Sequence, residues 1–292
     1  MSPTLPQIVV LSVVQGIAEP LPVSSSAHVI AAERIMHLDP SSPEMLFLLA
    51  MLHTGTVLAV ILYFRDSWRR RFFSGVDAFR TAVARVALAT AASLGVYLVL
   101  AQVIKRTLLH GRPGAQVEDL FSNLNLIAVA LAVGGVLILV AGIRPDPAGA
   151  RPTDPGEQVS SGGSFWIGFV QGIVLPFRGL SRSGATISTG MLMGVPRRLS
   201  EEFSFALAVV ITPPVIAREA LGYYRAQSAA PGTLHLAALA APGLVGMVCS
   251  FGAGLLALRW LSGWLERGRW HYFGIYCLAA SAGMVALSRM GY

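Results

Sequence analysis

The sequence predicts an all-α integral membrane protein: six transmembrane helices plus two re-entrant helix-loop-helix hairpins, arranged as an inverted repeat. Three observations predict it. Of 292 residues, 54% are hydrophobic and only 13% are charged, whereas soluble domains carry about 25% charged residues. Apolar stretches long enough to cross a bilayer, about 20 residues each, recur along the chain. A four-residue segment also returns 156 positions later, Val14-Gln15-Gly16-Ile17 as Val170-Gln171-Gly172-Ile173.

The elements follow in order. Residues 5–18 are apolar but run into Glu19, Pro20 and Pro22, and a second short helical piece is expected at 28–37. This stretch has no basic leader and no small-residue cleavage site, so it reads as a hairpin rather than a signal peptide. Three spans follow at about 44–64, 81–104 and 123–143. After a loop at 144–163, a second hairpin is expected at 164–195, with its second helical piece at 183–195. The last three spans are expected at about 201–221, 234–258 and 270–290. The chain is thus read as one membrane domain, with repeat one at 1–143 and repeat two at 164–292. A hairpin crosses nothing and three spans reverse the side, so the second repeat is inverted relative to the first. Broken helices meeting near the midplane of such repeats form binding sites in other membrane proteins.

The chain carries 22 Lys and Arg against 15 Asp and Glu, a net charge of +7. The basic residues lie between apolar runs rather than on one dense face, which excludes a nucleic-acid surface. Sorted by alternate loops, twelve fall on one side, Arg65, Arg69 to Arg71 and Arg151 among them. Seven, Arg112 among them, fall on the other, and Arg85, Arg178 and Arg182 at membrane depth. The positive-inside rule makes the first side cytoplasmic and turns both termini outward. The cysteines, Cys249 and Cys277, sit in apolar stretches, so neither a disulfide framework nor a Cys-rich metal site is expected.

The first tip reads from Gln15 through Glu19 to Ser24, Ser25, Ser26 and His28. Gln15 and Glu19 are four apart and share a helix face. An ionisable residue inside a membrane is costly and is a functional candidate by default. The bland alternatives are that Glu19 marks a helix end, that the serines cap a helix and that His28 is a satisfied buried histidine. Together they supply a nucleophile, a base and an acid within ten residues.

The second tip reads Arg178-Gly179-Leu180-Ser181-Arg182-Ser183-Gly184-Ala185-Thr186. Two arginines at membrane depth with no nearby acid in sequence call for an anionic partner. Ser and Gly ahead of a helix expose backbone N–H groups, and a guanidinium fork suits phosphate oxygens. The bland alternative is that Arg182 simply bridges to Glu19. Weaker candidates are His53 and Thr54 in the first span. Thr212-Pro213-Pro214 reads as a kink, and Ser200-Glu201-Glu202 as an ordinary helix start.

At these residues the sequence resembles the undecaprenyl-pyrophosphate phosphatase (bacitracin-resistance) family. The resemblance rests on Gln15…Glu19 running into Pro22-Val23-Ser24-Ser25-Ser26-Ala27-His28, and on Gly179-Leu180-Ser181-Arg182-Ser183-Gly184-Ala185-Thr186. His53-Thr54-Gly55-Thr56 and Glu202-Phe203-Ser204-Phe205 also look like the family. The resemblance implies a membrane phosphatase of the bacterial cytoplasmic membrane, with its site opening outward. It would hydrolyse undecaprenyl pyrophosphate to undecaprenyl phosphate and phosphate, with a divalent cation, Mg²⁺ or Ca²⁺. By the same resemblance Glu19, Ser25, His28 and Arg182 are catalytic, with Glu19 also the metal ligand. Gln15, Ser24, Ser26, Arg178, Gly179, Ser181, Ser183, Gly184 and Thr186 contact substrate. The expected partners are the polyprenyl pyrophosphate, the bilayer and a second copy of the chain in a homodimer.

Three positions depart from the family pattern. Gln15 removes a carboxylate, Ala27 replaces a usual glycine, and Arg178 replaces a usual proline and adds charge. In the expected mechanism Arg182 and the N–H groups of Ser183 and Gly184 hold the diphosphate. Ser25 then attacks, and His28 or Glu19 manages the proton. A transporter or flippase for an anionic polyprenyl lipid is the rival reading, because inverted repeats with broken helices also build carriers.

Overall fold

The computed structural model describes residues 3–39, 42–107, 123–145, 157–229 and 236–290. Among them every regular element is a helix, ten in all: α1 (Leu5–Ala18), α2 (Ser25–Ile35), α3 (Pro43–Phe72), α4 (Val76–Thr107), α5 (Leu124–Gly142), α6 (Ser161–Val174), α7 (Arg182–Leu192), α8 (Arg197–Ala229), α9 (Leu236–Glu266) and α10 (His271–Arg289). Most of the expected 144–163 loop lies outside the described residues, as do Arg112 and Arg151 of the sidedness count.

Among the described residues five helices are long and apolar enough to cross a membrane: Glu44–Phe72, Val76–Thr107, Leu124–Gly142, Ala240–Glu266 and His271–Arg289. The chain is a multi-pass, all-α membrane protein. The span expected at 201–221 falls inside α8, which is long but is not one of these five. Its first turns carry Glu201 and Glu202, and Pro213 and Pro214 lie within it.

The short helices start and stop for local reasons. A capping box between Thr4 and Gln7 opens α1, and Pro6 suits its first turn. Pro20 and Pro22 then deny the chain the N–H groups a helix would need. Helix α2 begins at Ser25, three residues earlier than the sequence suggests, after Ser24 adopts φ 66°. Ser160 caps α6 by accepting from Gly163 N, and Ser181 caps α7 by accepting from Gly184 N. Gly194, at φ 82°, follows the end of α7, where a left-handed residue favours glycine.

The recurring Val-Gln-Gly-Ile segment occupies like places in both halves. Helix α1 packs on α9, and α6 packs on α4. A Cβ on Gly16 would stand 2.6 Å from Ser250 O on α9, and one on Gly172 2.5 Å from Ser93 O on α4. The glycines therefore set how closely these backbones approach, as small residues do between membrane helices. Helix α3 packs against α8 and α9, and α5 against α10.

One charged pair departs from the sequence reading. Glu202 is 1% exposed and takes Arg71 Nε at 2.7 Å, while Arg71 also donates Nη1 to Glu157 O at 2.6 Å. Arg71 is thus a buried tie between α3, α8 and the approach to α6, not a loop charge. Glu202 sits a full turn inside α8 and does not merely open it.

Candidate functional site

The two broken regions meet. The turn after α1 brings Glu19, and the start of α7 brings Arg182, whose Nη2 donates to Glu19 Oε1 at 2.7 Å. Their side chains are 16% and 21% exposed, so the pair is largely but not fully withdrawn from solvent. Ser25, the first residue of α2, donates its hydroxyl to Glu19 Oε2 at 2.5 Å. Gln15 Nε2 donates to the same oxygen at 3.2 Å, one helical turn back along α1. Three of the residues marked from sequence, Gln15, Ser25 and Arg182, thus converge on the carboxylate of a fourth, Glu19.

Others take supporting places. Ser183 Oγ donates to Leu21 O at 3.2 Å, tying the start of α7 to the first turn. Ser181 Oγ lies 3.3 Å from Ser183 Oγ and accepts Gly184 N at 3.1 Å. The Gly184 N–H expected to hold phosphate is therefore occupied by the cap. Thr186 is buried, donates to Arg182 O at 2.8 Å and lies 2.5 Å from Ser204 Oγ, so it braces α7 rather than facing the acid. Gly179 adopts φ 107°, and a Cβ there would meet Ile127 O at 2.4 Å. Ser24 Oγ and Ser26 Oγ lie 3.3 Å apart. Arg178 is half-buried and interacts electrostatically with Glu33 on α2.

His28 stands apart from the carboxylate. Its Nδ1 is 2.8 Å from Ser24 O and its Nε2 2.7 Å from the Tyr276 hydroxyl. Three further residues reach the site that sequence reasoning ranked low or passed over. His53 Nε2 lies 3.9 Å from Glu19 Oε2, with Nδ1 held by Leu49 O at 2.9 Å. Thr212 Oγ1 accepts from Arg182 Nη1 at 3.2 Å. Tyr276 holds His28. An ionisable ring inside an apolar span was a usable signal for His53. Thr212 was hidden by the two prolines that follow it. Tyr276 lies 248 positions from its partner, and nothing local marks it.

Comparison with known proteins identifies the family. The model of the family described as bacitracin resistance protein BacA matches residues 8–283. The chain belongs to that family. It is 50% identical to undecaprenyl-diphosphatase 2 of Acinetobacter baylyi over 285 residues, 96% of this chain and 97% of that one. It is 34% identical to undecaprenyl-diphosphatase of Desulfosudis oleivorans, covering 93% of this chain and 94% of that one. A protein of the same name from Korarchaeum cryptofilum is 30% identical over 96% of this chain and 98% of its own length.

The cluster has a lean set of metal donors. No group of three or more His, Cys, Asp or Glu residues among the described ones converges for a metal ion. Glu19 is the one carboxylate, with Gln15 and His53 beside it, and both its oxygens already accept hydrogen bonds. This set does not make an all-protein cage. It suits a hard cation that keeps water and shares phosphate oxygens, as Mg²⁺ commonly does.

Proposed function

We infer that this chain hydrolyses undecaprenyl diphosphate to undecaprenyl phosphate and inorganic phosphate, returning a lipid carrier of cell-wall synthesis to use. The observation that carries the chemistry is the pair of short contacts on Glu19, Ser25 Oγ on one oxygen and Arg182 Nη2 on the other. A serine whose O–H already points into a carboxylate is primed for attack. The neighbouring guanidinium suits the phosphoryl charge that develops.

The steps follow from those places. The substrate's terminal phosphate takes donors of Arg182 that Glu19 and Thr212 hold in its absence. Ser25 Oγ attacks the terminal phosphorus as its proton passes to Glu19. The bond from that phosphorus to the bridging oxygen breaks, and undecaprenyl phosphate leaves as an anion that needs no proton. Glu19 gives the serine's proton up to solvent. Water then attacks the phosphorus on Ser25 as its own proton passes to Glu19, the bond from phosphorus to Oγ breaks, and Glu19 returns the proton to Ser25 Oγ, freeing phosphate. Charge stabilisation by Arg182 is the largest contribution expected in such phosphoryl transfer. A divalent cation, Mg²⁺ or Ca²⁺, would be held by Glu19 together with phosphate oxygens and would add charge neutralisation there.

The layout that serves this reaction is six spans and two hairpins in an inverted repeat, with α8 as the sixth span. Supporting it are the like places of Gly16 and Gly172 and the exchange of partners, α1 on α9 and α6 on α4. The site opens outward from the bacterial cytoplasmic membrane, with the basic loops inside.

The test is phosphate release from undecaprenyl diphosphate by purified protein in detergent, with and without a chelator. Detergent removes the second compartment that a carrier would need. Release that falls by orders of magnitude in Ser25→Ala and Arg182→Ala supports the reading. Wild-type rates in Arg182→Ala would overturn it, and binding without release would point to a carrier.

A further inference from the structure

Ser24 is a backbone oddity next to the nucleophile. Its φ of 66° and ψ of 91° place a non-glycine residue in the left-handed half of the map. Such a conformation costs of order 1–3 kcal/mol and persists only where surrounding structure over-determines it. The backbone N–H of His28 reaches the Ser24 carbonyl at a long 3.4 Å. The His28 ring reaches it better, with Nδ1 at 2.8 Å.

That contact fixes one ring proton. A carbonyl only accepts, so Nδ1 carries a hydrogen, and in the neutral ring Nε2 keeps the lone pair. The Tyr276 hydroxyl on α10 donates to that lone pair at 2.7 Å, and the two rings lie nearly parallel, 13° apart with centroids at 5.6 Å. The next residue, Cys277, donates Sγ to Pro22 O at 3.3 Å. Helix α10 therefore grips the turn before α2 at two points. Both nitrogens of His28 are committed to that grip, while the Ser25 hydroxyl is committed to Glu19.

We propose that Tyr276 is a positioning residue: through His28 it forms a strut from α10 to the Ser24 carbonyl that holds the residue before the nucleophile in its left-handed conformation. This rests on the phosphatase reading for its kinetic readout, though the strut itself does not. The ring of His28 then works through its Nδ1–H as a donor and not as the base for Ser25. Tyr276 is 47% exposed, so losing its hydroxyl opens no cavity.

The experiment uses full-length protein in detergent with undecaprenyl diphosphate as the probe. Tyr276→Phe is expected to lower kcat about tenfold and leave KM within about twofold, the size of effect a small misplacement produces. His28→Ala is expected to cost about a hundredfold. His28→Gln, whose amide can donate to the same carbonyl, is expected to regain most of that loss. A glutamine variant as inactive as the alanine one would overturn the proposal in favour of a proton-transferring ring. So would a Tyr276→Phe enzyme with unchanged kcat. Nitrogen-15 NMR of the histidines, which needs no turnover, should show His28 as the Nδ1–H tautomer, with its Nε2 resonance moved by Tyr276→Phe. The opposite tautomer would also overturn it. Wild-type protein that releases no phosphate would count against the phosphatase reading, and the NMR result would still decide the strut.

Discussion

The two hairpins share a frame and divide the chemistry between them. At the common offset Gln15 corresponds to Gln171, Gly16 to Gly172, Glu19 to Leu175, Ser25 to Ser181 and Ser26 to Arg182. Gln15 serves the Glu19 carboxylate. Gln171 instead donates to Ser93 Oγ at 3.0 Å and has a buried Oε1 with no hydrogen-bond partner. Ser25 donates a hydrogen bond to a carboxylate, while its counterpart Ser181 accepts a backbone N–H as a helix cap. One tip holds an acid and a nucleophile, and the other holds the cation. Neither alone can both activate a serine and neutralise a phosphoryl group. The reacting centre exists only where the tips meet, at the contact of Glu19 with Arg182.

The sharpest way to break this division is to exchange the charges. In Glu19→Arg with Arg182→Glu the opposite charges remain facing each other, so a purely structural bridge would survive. The double variant is expected to fold and yet lose at least about a thousandfold in phosphate release, because the base and the phosphate-binding cation have both left their places. Normal turnover in the swapped protein, with an unchanged detergent melting temperature, would reduce the pair to a brace.

Next in size comes the matched serine pair. Ser25→Ala removes the nucleophile and is expected to lower kcat about a thousandfold or more. Ser181→Ala removes a helix cap worth about 1 kcal/mol, so its loss should appear as a lower melting temperature and a change in kcat below about tenfold. Equal kinetic losses at the two positions would mean that the hairpins are chemically alike.

Third is the matched glycine pair, where the halves are alike. A Cβ at Gly16 or Gly172 would meet a neighbouring backbone at 2.6 or 2.5 Å. Gly16→Ala and Gly172→Ala should each destabilise by about 1–3 kcal/mol, since backbones yield less readily than side chains. Thermal unfolding in detergent measures it. A large effect at one glycine alone would argue against a common frame.

These pairs also show what the sequence could convey. Helix breaks at Glu19-Pro20 and Leu175-Pro176, and the polar tips beside them, are local signals, and Glu19, Ser25 and Arg182 were legible because each is costly in an apolar stretch. The start of α2 at Ser25 was less legible, because a left-handed Ser24 is held by contacts from α10 rather than by its own preference. The Arg71–Glu202 pair was illegible for a similar reason, since its members lie 131 positions apart and each reads alone as a surface charge. Hydropathy predicts six spans, with a kink at Thr212-Pro213-Pro214 in the fourth; α8 carries those prolines and also Glu201 and Glu202 within its length, where it packs against α3 and supports α7.

The smallest effect concerns how the second hairpin's cation is aimed. Arg182 is held at two nitrogens, Nη2 by Glu19 from the other hairpin and Nη1 by Thr212 from α8. Phosphate must take donors from one or both of these holds as it binds. Thr212→Val keeps the branched shape beside Pro213 and removes only the acceptor. A hydrogen bond to a charged group is worth about 1.5–3 kcal/mol, but here phosphate replaces much of it once substrate is bound. The variant should therefore raise KM by no more than about fivefold and leave kcat nearly unchanged. A fall in kcat with KM constant would instead show that Thr212 holds Arg182 through the transition state. The guanidinium would then depend on α8 for its aim as much as on the first hairpin.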